Sequence, residues 1–427
     1  MSDNNFKTSL DLAVSQGAVE ATRALLELGA GIGDAMVSPA HRAARRGDID
    51  CLKAFIDAGF KLRARDHEGR TILHHAISSS GADIDILEYL LTQEGAKMAI
   101  NVQCRRGETP LHVAAGGVRA EYIRLLLRHG ADMRIWNYSG FNPAQTAVRM
   151  QNVACVRAFI DAGFEVSTKG GGGRTLLHQA ALDGVTMLGY VLGLEGSEVV
   201  LNNPDSYGNT PLHLAAGRSA DSIKLLLQHG ADMGLKNKDR NTPAHTAASS
   251  GSVRCIRPFI DAGFDVNTKN RWGRTILHNA AIMNSADMVE YLLSACFTRN
   301  PYGPLSYKPT IRERLGANFL PDSFRRFGQS RSKCHVIAAR ATRTDDRPQP
   351  LAVHNSANDP SKKPPSQRTG RLLINARDLG GSTPLHHAAR RTQKAVVVMR
   401  LLEGYGADPM MEDRKSKTPA EIYHGDL

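Results

Sequence analysis

The chain has 427 residues, 41% of them hydrophobic, with a formal net charge of +12 and six cysteines. Length and apolar content suffice to bury a core, whereas so few cysteines in so long a chain exclude a disulfide framework. No run of about 18 apolar residues is present to cross a bilayer, and the start, Met1 to Lys7, lacks the apolar core of a secretory signal. The expected setting is the cytoplasm, with the nucleus as the alternative, and a reducing compartment suits the cysteines. The charge is uneven. Residues 297–372 hold 15 Lys and Arg against 5 Asp and Glu, which leaves the rest of the chain close to neutral.

In chain order, Ser9-Leu10-Asp11-Leu12-Ala13 with Leu25-Leu26 and Gly29-Ala30 form a worn first unit. From residue 38 a tetrapeptide recurs: Ser38-Pro39-Ala40-His41, Thr71-Ile72-Leu73-His74, Thr109-Pro110-Leu111-His112 and Asn142-Pro143-Ala144-Gln145. Thr175-Leu176-Leu177-His178, Thr210-Pro211-Leu212-His213, Thr242-Pro243-Ala244-His245 and Thr275-Ile276-Leu277-His278 continue it, at intervals of 32 to 38 residues. After a jump of 108 residues comes Thr383-Pro384-Leu385-His386, and 35 residues later Thr418-Pro419-Ala420-Glu421.

Each unit has a readable physics. Thr or Ser is a good helix N-cap because its hydroxyl satisfies a free amide, and Pro suits the first helical position. A short helix such as Leu212-His213-Leu214-Ala215-Ala216 follows, then a second with leucines at helical spacing, as in Ile223 to Leu227. Gly230 supplies the left-handed turn that ends it. Neither helix can bury its apolar face alone, so neighbouring units must stack. Cys51, Cys155 and Cys255 recur at one place, just before Phe55, Phe159 and Phe259, and read as small buried hydrophobes. Asp57 to Phe60, Asp161 to Phe164 and Asp261 to Phe264 repeat the same tetrapeptide, which points to duplication of a cassette of three units.

In its Thr-Pro-Leu-His-x-Ala-Ala runs, its Leu-Leu pairs and its Gly-Ala-Asp segments at 130–132 and 230–232, the chain resembles the ankyrin-repeat family. The resemblance covers about four fifths of the chain. It implies an all-α repeat solenoid of stacked helix-turn-helix units joined by β-hairpin-like turns, with one long disordered insertion. The expected domains are a degenerate N-terminal capping repeat over 1–37 and about eight repeats over 38–296. A basic, Pro/Arg/Ser-rich insertion over 297–373 follows, then a repeat plus half repeat over 374–427.

The stretch from Phe297 to Leu372 matches no repeat and holds 9 of the 19 prolines. Its composition indicates disorder. Lengthening a connection from about ten to about eighty residues costs only ~2 kcal/mol in loop closure, so the solenoid can continue across it. Two readings stand: a disordered insertion, including intervening sequence translated in error, or a basic peptide for targeting or nucleic-acid contact. On the second reading the protein would be a nuclear or nucleic-acid-associated regulator acting through 297–372. Few aromatics interleave with those charges, which weakens it.

The sequence argues against catalysis. Eight motif histidines, His41, His74, His112, His178, His213, His245, His278 and His386, fall in separate repeats and cannot share one metal, and the family implies a structural hydrogen-bonding role for them. Gly170 to Gly173 is not a phosphate loop, since no Gly-Lys-Ser/Thr follows. No Cys-x-x-Cys, Gly-x-Ser-x-Gly or His-Glu-x-x-His motif occurs. The expectation is a non-enzyme with no cofactor and no metal.

Binding is then the default, and the family implies a concave face built from turn tips and the exposed side of each first helix. Mapped onto this chain, that surface holds Arg65, His67, Arg70, Arg105, Arg106, Trp136, Tyr138, Phe141, Lys169 and Arg174. It continues with Lys236, Lys238, Lys269, Arg271, Trp272, Arg274, Arg390 and Arg391. Basic residues outnumber acidic ones there, so the expected partner is a protein that is acidic at the contact, met by a monomer. Nucleic acid is a lesser expectation, through the insertion, and no membrane role is expected. Trp136, Tyr138 and Phe141 are either contact hot spots or packing residues beside Asn142, which replaces the usual capping Thr.

Overall fold

The computed structural model describes residues 8–31, 38–78, 84–117, 119–298, 373–390 and 395–425. Most of the expected basic insertion over 297–373, namely residues 299–372, and Arg391 lie outside the described residues. Among the described residues the secondary structure is helical, with no β-strand element.

The helices come in pairs. A typical unit is Pro110–Gly116 followed by Ala120–Arg128, and the next is Pro143–Arg149 followed by Val153–Asp161. Local chemistry sets the ends. Thr109 caps its helix by accepting from the His112 amide, while the ring of His112 reaches back to the Thr109 amide, so two otherwise orphaned donors are satisfied. Pro211, Pro243 and Pro384 occupy the first helical position. Two of the longer units, with 38 residues from Thr71 to Thr109 and 35 from Thr175 to Thr210, hold an extra turn of helix each, Ala96–Ala99 and Ser197–Val200.

First helices pack on first helices and second helices on second helices, which buries one continuous core. Phe55, Phe159 and Phe259 are fully enclosed, beside Cys51, Cys155 and Cys255. Enclosing one such side chain contributes roughly 1.5–3 kcal/mol. These three cysteines and Cys104 are buried and form no disulfide. Burial raises the Cys51 and Cys155 thiols to about 11, so neither is a reactive thiolate at neutral pH.

The stack crosses the interruption. Helix Ile276–Ile282 packs on Pro384–Ala389, and Ala286–Thr298 on Ala395–Gly404, as neighbouring repeats do elsewhere. The Leu379 amide donates to the Trp272 carbonyl at 2.8 Å, closing the same bond that links other adjacent turns.

Those turns depend on glycine where the chain must pass through a left-handed conformation against the next turn. At Gly208, φ is +79° and an added Cβ would lie 2.7 Å from the Lys238 amide nitrogen. The Gly208→Ala variant is expected to lose roughly 1–3 kcal/mol, combining backbone strain with displacement of the neighbouring turn. Urea denaturation reads the change, and an unaltered midpoint would contradict the close approach.

Candidate functional site

The candidate surface is the row of turns together with the first helices beside it. In each turn a backbone bond closes the loop, for example from the Asp66 amide to the Arg70 carbonyl and from the Asn237 amide to the Asn241 carbonyl. The first turn residue, usually Asp or Asn, folds its side chain inward. Asp66 Oδ1 accepts from the amides of Glu68 and Arg70, both at 2.8 Å.

Backbone bonds then tie turn to turn: Arg105 to Glu68, Tyr138 to Arg106, Lys238 to Tyr207 and Arg271 to Asp239. The motif histidines add a second seam. His213 Nδ1 accepts from the Thr210 amide at 3.1 Å and contacts Thr210 Oγ1 at 2.9 Å. Its Nε2 donates to the Asn241 carbonyl of the next turn at 2.9 Å. The same arrangement recurs at His74, His112, His178, His245, His278 and His386. These rings are therefore occupied in structure, as neutral Nε2–H tautomers assigned by the bonding. Burial lowers His41, His74, His178 and His245 to about 4 and His278 to about 3. Among the described residues no group of His, Cys, Asp and Glu is placed to hold a metal ion.

Arg65, His67, Arg105, Arg106, Lys169, Lys236, Lys238, Lys269 and Arg271 are exposed on the turn row. One register forms a ladder: Lys236 Nζ donates to the Lys269 carbonyl at 3.2 Å, and Lys269 Nζ to the Arg377 carbonyl at 3.0 Å. At the other end Arg65 donates to the Gln103 carbonyl at 3.2 Å, and Gln103 to the Trp136 carbonyl at 2.8 Å. These stems are thereby laid along the row.

Several arginines are already partnered, which the linear sequence did not reveal. Arg70 pairs with Glu68 at 3.0 Å and Arg271 with Asp239 at 2.9 Å. Arg174 reaches Asp205 at 3.5 Å, Arg274 reaches Asp378 at 3.4 Å and Arg390 reaches Asp413 at 3.9 Å. The signal was present as an acidic residue five positions before Thr210, Thr383 and Thr418. Asp66 and Asp378 also take the second histidine of each His-His pair, His75 and His387, at 2.8 Å. Burial alone would raise the Asp66 carboxyl, but hydrogen bonds from the Arg70 amide and from His75 outweigh it and hold the group low.

The three aromatics near Asn142 differ in exposure. Trp136 is 50% and Tyr138 76% exposed, while Phe141 is half-buried under the Arg149 guanidinium at 5.3 Å. The Tyr138 ring lies over Gly107, where an added Cβ would meet Cδ1 at 2.7 Å. Phe141 is thus partly covered, whereas Trp136 and Tyr138 are presented to solvent. Farther along, Trp272 is 41% exposed and lies beneath the guanidinium groups of Arg271 and Arg274, at 5.3 and 5.7 Å.

The family model for ankyrin repeats in three copies matches residues 10–101, 85–170, 166–237 and 217–300, and the single-repeat model matches 380–414. The chain is an ankyrin-repeat protein. Ankyrin repeats generally mediate protein–protein interaction, and the fold is typically non-catalytic. This ankyrin-repeat chain is 24% identical over 269 residues to the E3 ubiquitin-protein ligase KEG of Arabidopsis thaliana, covering 59% of the chain and 16% of that protein. It is 26% identical over 204 residues to the putative palmitoyltransferase ZDHHC13 of Danio rerio, covering 47% of the chain and 31% of that protein. A putative ankyrin repeat protein of Rickettsia bellii is 37% identical over 106 residues, 25% of the chain and 57% of that protein. The chain thus spans less than two thirds of the length of these relatives. Among solved structures, the ankyrin repeat domain of Bcl-3 aligns with 23% identity and a TM-score of 0.42, covering 60% of this chain and 98% of that one. Among the described residues no helix is long and apolar enough to cross a membrane.

Proposed function

We propose that this ankyrin-repeat chain is a non-catalytic scaffold that holds a protein partner, acidic at the contact, against its concave face. That face comprises the turn tips and the exposed sides of the first helices. One observation carries the reading. Arg105, Arg106, Lys169, Lys236, Lys238 and Lys269 are exposed along one hydrogen-bonded row, and among the described residues none of them is in an ion pair. A row of unneutralised cations on a rigid frame attracts a complementary surface and sets its register. Trp136 and Tyr138 add large, exposed rings of the kind enriched at hot spots. The relatives named for enzymatic activity are matched over 16% and 31% of their lengths, so what they share with this chain is a repeat segment. In this reading the scaffold acts as a monomer.

A photo-crosslinker at Lys238, read by mass spectrometry, identifies the partner, and purified components then give the Kd. Raising salt from about 50 to about 300 mM is expected to weaken binding roughly tenfold, as screening shortens the reach of exposed charges. The triple variant Lys236→Glu, Lys238→Glu, Lys269→Glu is expected to abolish it. Affinity indifferent to ionic strength would overturn the acidic-partner reading. For Trp136→Ala, weaker binding at unchanged melting temperature identifies a contact residue, and the reverse pattern identifies a packing residue.

A further inference from the structure

The ninth and tenth repeats meet at a small cavity of about 210 Å³ lined by Arg274, Ile282, His387 and Arg390. We propose that this cavity is a subsite for one anionic side chain of the partner, with its carboxylate or phosphate oxygens held between the guanidinium groups of Arg274 and Arg390. The proposal rests on the protein-binding reading above and locates a single anchoring point within it.

The surrounding bonds prepare both arginines. The Asp378 side chain is 6% exposed and fully engaged: Oδ1 accepts from the Gly380 and Ser382 amides at 2.8 and 2.9 Å, and Oδ2 faces His387 Nε2 at 2.8 Å and Arg274 Nε at 3.4 Å. Arg274 is therefore fixed through Nε, and the Trp272 ring lies 5.7 Å beneath its guanidinium. Arg390 is anchored more loosely, with Nη2 3.5 Å from Ser382 Oγ and 3.9 Å from Asp413. Each guanidinium carries five N–H donors, so both keep donors beyond those anchors for a ligand in the cavity they line. Two guanidinium forks lining one cavity suit bidentate recognition of a planar or tetrahedral oxyanion. Ile282 offers an apolar wall to the stem of the incoming side chain.

The duplicated cassette supplies an internal comparison. Arg174 and Asp205 form the same cross-repeat pair one cassette earlier, Nε to Oδ2 at 3.5 Å, as Arg274 and Asp378 do at 3.4 Å. There Leu214 and Gly217 occupy the registers of His387 and Arg390, counted from the capping Thr210 and Thr383. The Arg–Asp pair forms at that junction without a second arginine, so holding the repeats together does not require Arg390. Asp378 and Asp413 offset the two arginine charges, and the cavity consequently offers directed donors to one oxyanion rather than a broad attractive field.

The test uses the full chain carrying Trp136→Phe, which leaves Trp272 as its only indole and a reporter beside Arg274. Fluorescence is titrated with three blocked amino acids: N-acetylglutamate amide, N-acetylphosphoserine amide and N-acetylglutamine amide. A saturable response to either anionic probe and none to the neutral one is expected, and the tighter of the two names the source of the anion. Arg390→Gln should weaken binding at least about tenfold through loss of the charged fork. Arg390→Lys, which keeps the charge, should fall in between. Arg254→Gln, on an exposed second helix away from the cavity, should change affinity less than about twofold. An unsaturable response, or equal weakening by Arg390→Gln and Arg254→Gln, would overturn the subsite. Salt-sensitive partner binding with no probe binding removes the subsite and leaves the scaffold, whereas saturable probe binding with salt-insensitive partner binding does the opposite.

Discussion

Acidification from about pH 7 to about pH 5 is expected to unfold the repeat stack before its carboxylates titrate. Four motif histidines, His41, His74, His178 and His245, sit at about 4 in the folded chain against 6.5 when free, and His278 at about 3. Burial is the first cause in each. The neighbouring His75 and His387 add repulsion at His41 and His278, and carbonyl acceptors such as those of Ala64 and Asn209 offset part of the shift. The bonding adds to the cost at His74, His178, His245 and His278, where Nδ1 already accepts from a threonine amide that a proton there would displace.

The sign follows from linkage. Above pH 6.5 both states carry neutral rings and the contribution is fully present. As pH falls from 6.5 towards 4, the unfolded chain takes up protons that the folded chain refuses, and stability is lost until the folded pKa values are reached. At about pH 5 the loss is roughly 2 kcal/mol per ring, and five such rings together rival the ~5–15 kcal/mol that holds a whole domain. Helical circular dichroism during urea titration at several pH values measures this. A urea midpoint equal at pH 7 and pH 5 would refute it.

Replacing His178 by leucine is expected to cost about 3 kcal/mol, because a buried donor and a buried acceptor lose their partners while the shape of the site is roughly kept. The Thr175 amide would lose Nδ1 at 3.2 Å and the Asn209 carbonyl would lose Nε2 at 3.1 Å. His178→Gln is expected to restore most of the loss. The fifth repeat already contains that solution: Gln145 Oε1 accepts from the Asn142 amide at 3.1 Å, and Nε2 donates to the Arg174 carbonyl at 2.7 Å. Equal urea midpoints for the leucine and glutamine variants would show that side-chain volume, not hydrogen bonding, is what the site requires. The glutamine variant should also shed one histidine's share of the acid sensitivity, which links the two expectations.

Because stability in a stacked array is the sum of repeat and interface contributions, the position of a lesion matters. Loss of a central seam such as His178 to Asn209 separates two blocks, and both lose a neighbour. The turn row is therefore both the expected contact surface and part of the frame, since the carbonyls that accept from motif histidines belong to the turns that present Arg105, Lys238 and Arg271.

The repeat period, the helix starts and the family were legible in the sequence because each rests on local chemistry. A threonine cap, a proline at the first helical position and a glycine in a left-handed turn act within a few residues, and copying them makes the signal unmistakable. So was the burial of Cys51, Cys155 and Cys255, which share one register with the large apolar residues around them. The charge left outside ion pairs on the turn row was not. Arg174 meets Asp205 and Arg274 meets Asp378, 31 and 104 residues away, and only stacking brings them together. Likewise Trp136, Tyr138 and Phe141 look alike in sequence, yet the Arg149 guanidinium covers only the last. The cavity between Arg274 and Arg390 exists because helix Ile276–Ile282 docks on Pro384–Ala389 across the interruption. Local interactions made the units recognisable, whereas contacts between units decided which cations stand outside ion pairs.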